Sequence, residues 1–188
     1  MKKLNFILFL SILLYGTSCT NDMKEVHSLF SEEDLSVEVA RDVEIFYSDS
    51  AVVKIIIESP TMKRFSENGQ SKDEFPDGIK VSFLNEHENA GSWLEADYAI
   101  RNNKDRKIHV KENVKFYNKQ NEKLETSALI WDEGTGSIYT DKFVRITQPA
   151  KRDTSYGYGF KANEDFTKFE ILNFQAVKNA EAMESILR

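Results

Sequence analysis

The chain predicts an all-β fold, an antiparallel meander rolled or folded on itself, and three features of its 188 residues carry that prediction. Apolar and polar residues alternate with period two over most of the sequence after Leu35, the rhythm of half-buried antiparallel strands. Clusters of turn-forming residues interrupt the alternation about every 10–20 residues. Thirteen Phe, seven Tyr and two Trp stand against three Pro, which suits pleated surfaces better than long helices. With 40% hydrophobic and 30% charged residues, the composition supports one packed core and argues against global disorder.

The N-terminus reads as a leader. Lys2 and Lys3 precede an apolar run from Leu4 to Tyr15, then Gly16-Thr17-Ser18 and the single cysteine, Cys19. Twelve residues fall short of the roughly 20 needed to span a bilayer, so residues 1–18 are expected to be a secretory signal peptide. An isolated cysteine just after such a run resembles the acylation site of bacterial lipoproteins, although Gly16 stands where an aliphatic residue is usual. The alternative is a plain cleavage site beside an unpaired thiol. Residues 19–34 then form the acylated Cys and a polar tether. Without Lys2 and Lys3 the 25 basic residues fall to 23 against 31 acidic ones, and such an acidic chain is a poor partner for nucleic acid.

The domain is expected over residues 35–176. Val43, Ile45 and Tyr47 alternate with Glu44 and Phe46 until Ser48-Asp49-Ser50, and Val53, Ile55 and Ile57 resume the pattern. Thr61–Lys72 reads as non-strand. Ile79, Val81 and Phe83 form the next strand. Leu94, Ala96, Tyr98 and Ile100 read as one continuous strand, followed by Val110, Val114 and Phe116. Turns are expected at Phe75-Pro76-Asp77-Gly78, Asn102–Asp105, Asn118–Asn121 and Asp132–Gly136. In Tyr156-Gly157-Tyr158-Gly159-Phe160, Gly157 and Gly159 mark a strand bend, a bulge or close approach of another backbone. Val177–Arg188 is expected to be a tail with a short helix. The absence of crossover helices makes the sheet a meander.

The sequence offers no catalytic constellation. Asp132 and Glu133 are adjacent, so on a strand they point to opposite faces. With Gly134 and Gly136 beside them they read as the polar tip of a hairpin, whose loss should be functionally silent. His27, His87 and His109 lack metal-ligand spacing, and Ser92 lacks a nucleophile elbow. No catalytic residue, metal or cofactor is therefore expected. What remains is the apolar strand face, which reads either as ordinary core or as a surface for acyl chains.

Taken in order, the strand words of residues 35–175 resemble the LptC family, the periplasmic component of the lipopolysaccharide export system, in its Bacteroidetes-type lipoprotein form. The words are Tyr47–Ala51, Glu58–Met62, Phe75–Ile79, Leu94–Ala99, Asn113-Val114, Leu124–Thr126, Leu129–Asp132, Ile138–Asp141, Val144–Ile146 and Gly157–Phe160. The resemblance implies an antiparallel β-jellyroll, a rolled V-shaped sheet with an open apolar groove for lipid A acyl chains. By strand phase the groove would be lined by Ile79, Val81, Phe83, Ala96, Tyr98, Ile100, Val114, Phe116, Trp131, Ile138, Val144, Ile146, Phe160 and Ile171.

The resemblance also implies a non-enzymatic carrier. It would take lipopolysaccharide from the LptB/LptF/LptG transporter and pass it to LptA by strand augmentation between jellyrolls. The edges would be Val43, Ile45 and Tyr47 at the start, and Phe169, Ile171 and Asn173 at the end. Many family members use a transmembrane helix; here the Cys19 anchor takes its place. This implies a periplasmic protein held on the inner membrane, with the outer membrane as the other destination. The competing class is a structural or adhesion β-sandwich lipoprotein of the envelope with a closed core. A third, a glycan hydrolase, would require two carboxylates facing one cleft.

Overall fold

The computed structural model describes residues 37–67, 70–85 and 89–175. The expected leader, Cys19, the tether, His27, His87 and the C-terminal tail lie outside the described residues. The strands are β1 (Val37–Asp49), β2 (Val52–Glu67), β3 (Gln70–Phe75), β4 (Ile79–Leu84), β5 (Ala90–Ala96) and β6 (Tyr98–Asn102), then β7 (Lys107–Asn118), β8 (Lys123–Asp132), β9 (Ser137–Gln148), β10 (Asp153–Asn163) and β11 (Phe169–Gln175). All belong to one sheet of eleven strands, and its pairs are antiparallel.

The sheet divides at β2 and rejoins at β7. One branch runs through β4 and β5, pairing with Ile55–Glu58 of β2 and Lys115–Asn118 of β7. The other runs through β3 and β6, pairing with Lys63–Glu67 and with Lys107–Lys111. Beyond β7 the sheet continues as β8, β9, β10 and β11. Among the described residues, β1 pairs with β2 alone and β11 with β10 alone.

Irregularities line up where the branches part. Asp42 in β1 and Glu112 and Asn113 in β7 have φ of 50°, 65° and 49°. Register shifts follow between Lys111 and Val114, between Thr126 and Ile130, and between Tyr158 and Phe160, beside Gly159 at φ 78°. Bulges bend strands and increase their twist, and a row of them folds the sheet into two layers. Rings from distant strands then meet inside: Phe83 of β4 stands 5.0 Å edge-on to Trp131 of β8. The architecture is all-β, as the alternation predicts, and jellyroll-like, as the resemblance implies.

Two local expectations are corrected. Thr61–Lys72 is mostly strand: β2 runs to Glu67 and β3 starts at Gln70. Its inward-phase residues include charged ones, so the apolar alternation is missing although the pleat is present. Leu94–Ile100 is two strands rather than one. Asp97 breaks it, its amide donating to the Glu112 carbonyl at 3.0 Å, and the phase flips. Ala96 and Ala99 are both buried. Tyr98 and Ile100 are register partners of Lys111 and His109 on the outer face.

Candidate functional site: the interior between the layers

In the layer containing β4 and β5, one rung of side chains crosses seven strands. Ile45, Ile57, Val81, Leu94, Phe116, Leu124 and Ile146 are successive register partners. Register partners point to the same face, so the strand period becomes a continuous apolar strip perpendicular to the strands. In the layer containing β3 and β6, the matching rung is Arg64, Asp73, Arg101, Ile108, Trp131, Ile138, Ala162 and Phe169. Its β8–β11 end is apolar and its β2–β6 end is ionic.

The ionic end is neutralised internally. Arg64 donates to Asp73 through Nε at 2.7 Å and Nη2 at 3.1 Å, and Asp73 is fully buried. Arg101 approaches Asp73 at 3.8 Å and grips Glu133 with two bonds of 2.7 and 2.9 Å. Burial works to lower the Arg101 pKa, but its bond to Glu133 and the surrounding negative groups outweigh it and hold the pKa up. The Tyr47 ring lies 5.0 Å from the same guanidinium. Glu133 is therefore not a solvated hairpin tip. Its side chain is 6% exposed and its bond to Arg101 ties the β8–β9 turn to β6. Asp132 does serve the turn, its Oδ1 accepting from the amides of Gly134 and Thr135.

Of the residues expected to line a groove, Ile79, Val81, Phe83, Ala96, Val114, Phe116, Trp131, Ile138, Val144, Ile146 and Phe160 face inward, and none is more than 6% exposed. The middle of the interior is thus closed and packed, not an open trough. Exposure returns toward the sheet edges: Ile45 and Tyr47 on β1, Ile55 on β2, and Phe169 and Ile171 on β11 pack against the core but are only partly buried. Val43 is aligned with Ser59, and Asn173 is exposed opposite Tyr158. A Cβ on Gly157 would lie 2.3 Å from Ile171 Cγ2, so Gly157 is where the β11 side chain closes over β10.

The sequence reading did not single out Phe75, Ile108, Leu124 or Phe166 as inward residues, all fully buried. Ile108 and Leu124 continue the alternation of their strands and were accessible by phase. Phe166 sits in a polar turn, Asn163–Lys168, where a lone aromatic was the available signal. On the outer face a broad cleft lies over the fork, lined among others by Glu44, Glu58, Asp77, Glu95, Asp97 and Lys80. Among the described residues no group of His, Cys, Asp and Glu could hold a metal ion.

The sequence matches the profile of one family, described as lipopolysaccharide-assembly, LptC-related, over residues 7–177. No curated protein matches it.

Proposed function

Because the chain belongs to the LptC-related family of lipopolysaccharide assembly, we propose that its interior carries the acyl chains of lipopolysaccharide along the sheet, from one edge strand to the other. The observation that supports this most is the rung from Ile45 to Ile146. It runs in the hydrogen-bonding direction from β1 to β9, roughly 29 Å over seven strands at ~4.8 Å spacing, and apolar residues at both sheet edges, Ile45 and Tyr47 on β1 and Phe169 and Ile171 on β11, are only partly buried. An acyl chain laid along it needs no catalytic group to be held. Burying a methylene gains about 0.8 kcal/mol, so a fourteen-carbon chain gains on the order of 10 kcal/mol before the cost of parting the layers.

The two unpaired edges suit this role. Among the described residues β1 and β11 each pair on one side only, which leaves a row of backbone groups that another sheet can extend. In this reading one edge meets a jellyroll domain of LptF or LptG and the other meets LptA, so that the interiors join end to end. Acylated Cys19 would hold the domain at the membrane on the periplasmic side. The role is that of a non-enzymatic carrier.

A photo-crosslinking residue at Phe116 or Ile146 tests the reading in cells. Lipopolysaccharide should be captured there and not at Lys115 or Arg145, whose side chains lie on the opposite face. Equal capture on both faces would refute the interior path. The tightly packed centre favours one competing reading, a closed structural sandwich, which predicts no capture at any of the four positions.

A further inference from the structure

The loop between β10 and β11 crosses from one layer to the other. Its Glu164 carboxylate accepts from the Trp131 indole at 2.7 Å, in its own layer. Its backbone is held by the opposite layer: Ser92 Oγ donates to the Glu164 carbonyl, and Asn118 Nδ2 donates to the Phe166 carbonyl at 3.2 Å. Ser92 and Asn118 are themselves register partners on β5 and β7.

Between these fastenings the loop inserts one ring. Phe166 is fully buried, 4.6 Å from Phe116 on one wall and 6.0 and 5.3 Å from Phe160 and Phe169 on the other. It does so from φ 52°, a left-handed conformation unusual for a bulky residue and a form of local strain. The strain is sustained by packing that an acyl chain would reproduce against the same three rings. Beside the loop a cleft of about 470 Å³ opens, lined by Ile55, Phe83, Leu84, Gly136, Glu164 and Asp165 among others.

We propose that this loop is a displaceable latch, with Phe166 filling the acyl position of the empty chain and leaving it when an acyl chain enters. The inference rests on the carrier reading above. Closed, the latch keeps the interior dry and the layers together. Opened, it returns the Glu164 carboxylate and the Phe166 carbonyl to water at the rim, where both can be solvated. Strain relief on release offsets part of the lost packing, and competition from Phe166 weakens lipid binding, as a relay requires.

Purified full chain titrated with lipid A tests the latch, with hydrogen exchange followed at Asn163–Lys168. Lipid A should accelerate exchange of the loop amides, including Phe166 N–H, which donates to the Asn163 carbonyl at 3.1 Å. Phe166→Ala should bind lipid A about tenfold more tightly if the closed state is populated about ten to one. Ser92→Ala, which loosens the loop and keeps the ring, should move affinity the same way by a smaller factor and decides the matter if Phe166→Ala does not fold. Binding with unchanged loop protection and no tighter binding by either variant would overturn the latch and leave the carrier standing. No binding by any of the three proteins would overturn the carrier reading itself.

Discussion

The Trp131 indole N–H donates to the Glu164 carboxylate at 2.7 Å, joining β8 to the loop that crosses the mouth of the sheet. Burial pushes the Glu164 pKa above its ordinary value, the Trp131 bond opposes the shift, and the Glu133 and Asp165 charges add to it. The folded chain thus keeps a proton at a pH where the unfolded chain has lost it. Stability should fall as pH rises from the ordinary carboxylate value through the raised one, and be greatest below both. Glu122 and Glu125 shift the other way, so their contribution is lost only as pH falls below the ordinary value. Glu164→Gln should flatten the dependence on the alkaline side of the ordinary carboxylate value. Urea midpoints across that range measure it, and an unchanged slope would show that Glu164 stays ionised.

Asp73 is the buried centre of the ionic rung, bonded to Arg64 and approached by Arg101. Removing one partner of a buried ion pair leaves the other uncompensated, at a cost of about 3–5 kcal/mol. Arg64 can reach water, so Asp73→Asn should cost nearer the lower end, about 3 kcal/mol. Denaturant unfolding measures the loss. The cost should shrink in an Asp73→Asn, Arg64→Met double variant, which also removes the cation that lost its two-bond partner and leaves the Arg101–Glu133 pair intact.

The same residues explain what the sequence could and could not convey. The phase of Val81, Phe116 and Ile146 was legible because each sits in a local run of alternation, and each is fully or almost fully buried on the inner face; that of Trp131 turned on the bulge between Thr126 and Ile130. Tyr98 and Ile100 were misplaced because a single residue, Asp97, leaves the ladder and flips every side chain after it. The Thr61–Lys72 stretch was missed because Arg64 occupies an inward position, paired with Asp73 just beyond the stretch, and a pattern of apolar alternation does not register charges that satisfy each other. Closure of the interior was illegible for another reason. It depends on how closely two layers approach and on Phe166, which arrives from a turn with no periodicity.

Gly157 carries a packing demand that can be tested by adding one methyl group. Its Cβ would meet Ile171 Cγ2 at 2.3 Å and the Asn173 carbonyl oxygen at 2.7 Å. The second contact is backbone and cannot rotate away. Gly157→Ala should therefore push β11 from β10, costing about 1–3 kcal/mol as overpacking does. Hydrogen exchange should rise across Phe169–Gln175 and stay unchanged across the β1–β2 ladder. A uniform rise in both would indicate global destabilisation instead of a detached edge.

Ile171 separates the path from the core. It packs against buried residues yet stays partly exposed at the β11 edge, whereas Ile146 is 1% exposed. Ile146→Asp should unfold the domain, since an unpaired buried charge costs several kcal/mol. At Ile171 an aspartate can turn to water while the path is empty, so the protein should accumulate and remain folded. A lipid leaving over that edge would have to desolvate the same carboxylate, raising the barrier by an amount of the same kind. Cells relying on Ile171→Asp should thus lose lipopolysaccharide export while retaining normal levels of the protein. Immunoblotting for the protein and gel analysis of surface lipopolysaccharide read the two quantities separately. Normal export in that strain would place the exit of the acyl chains away from β11.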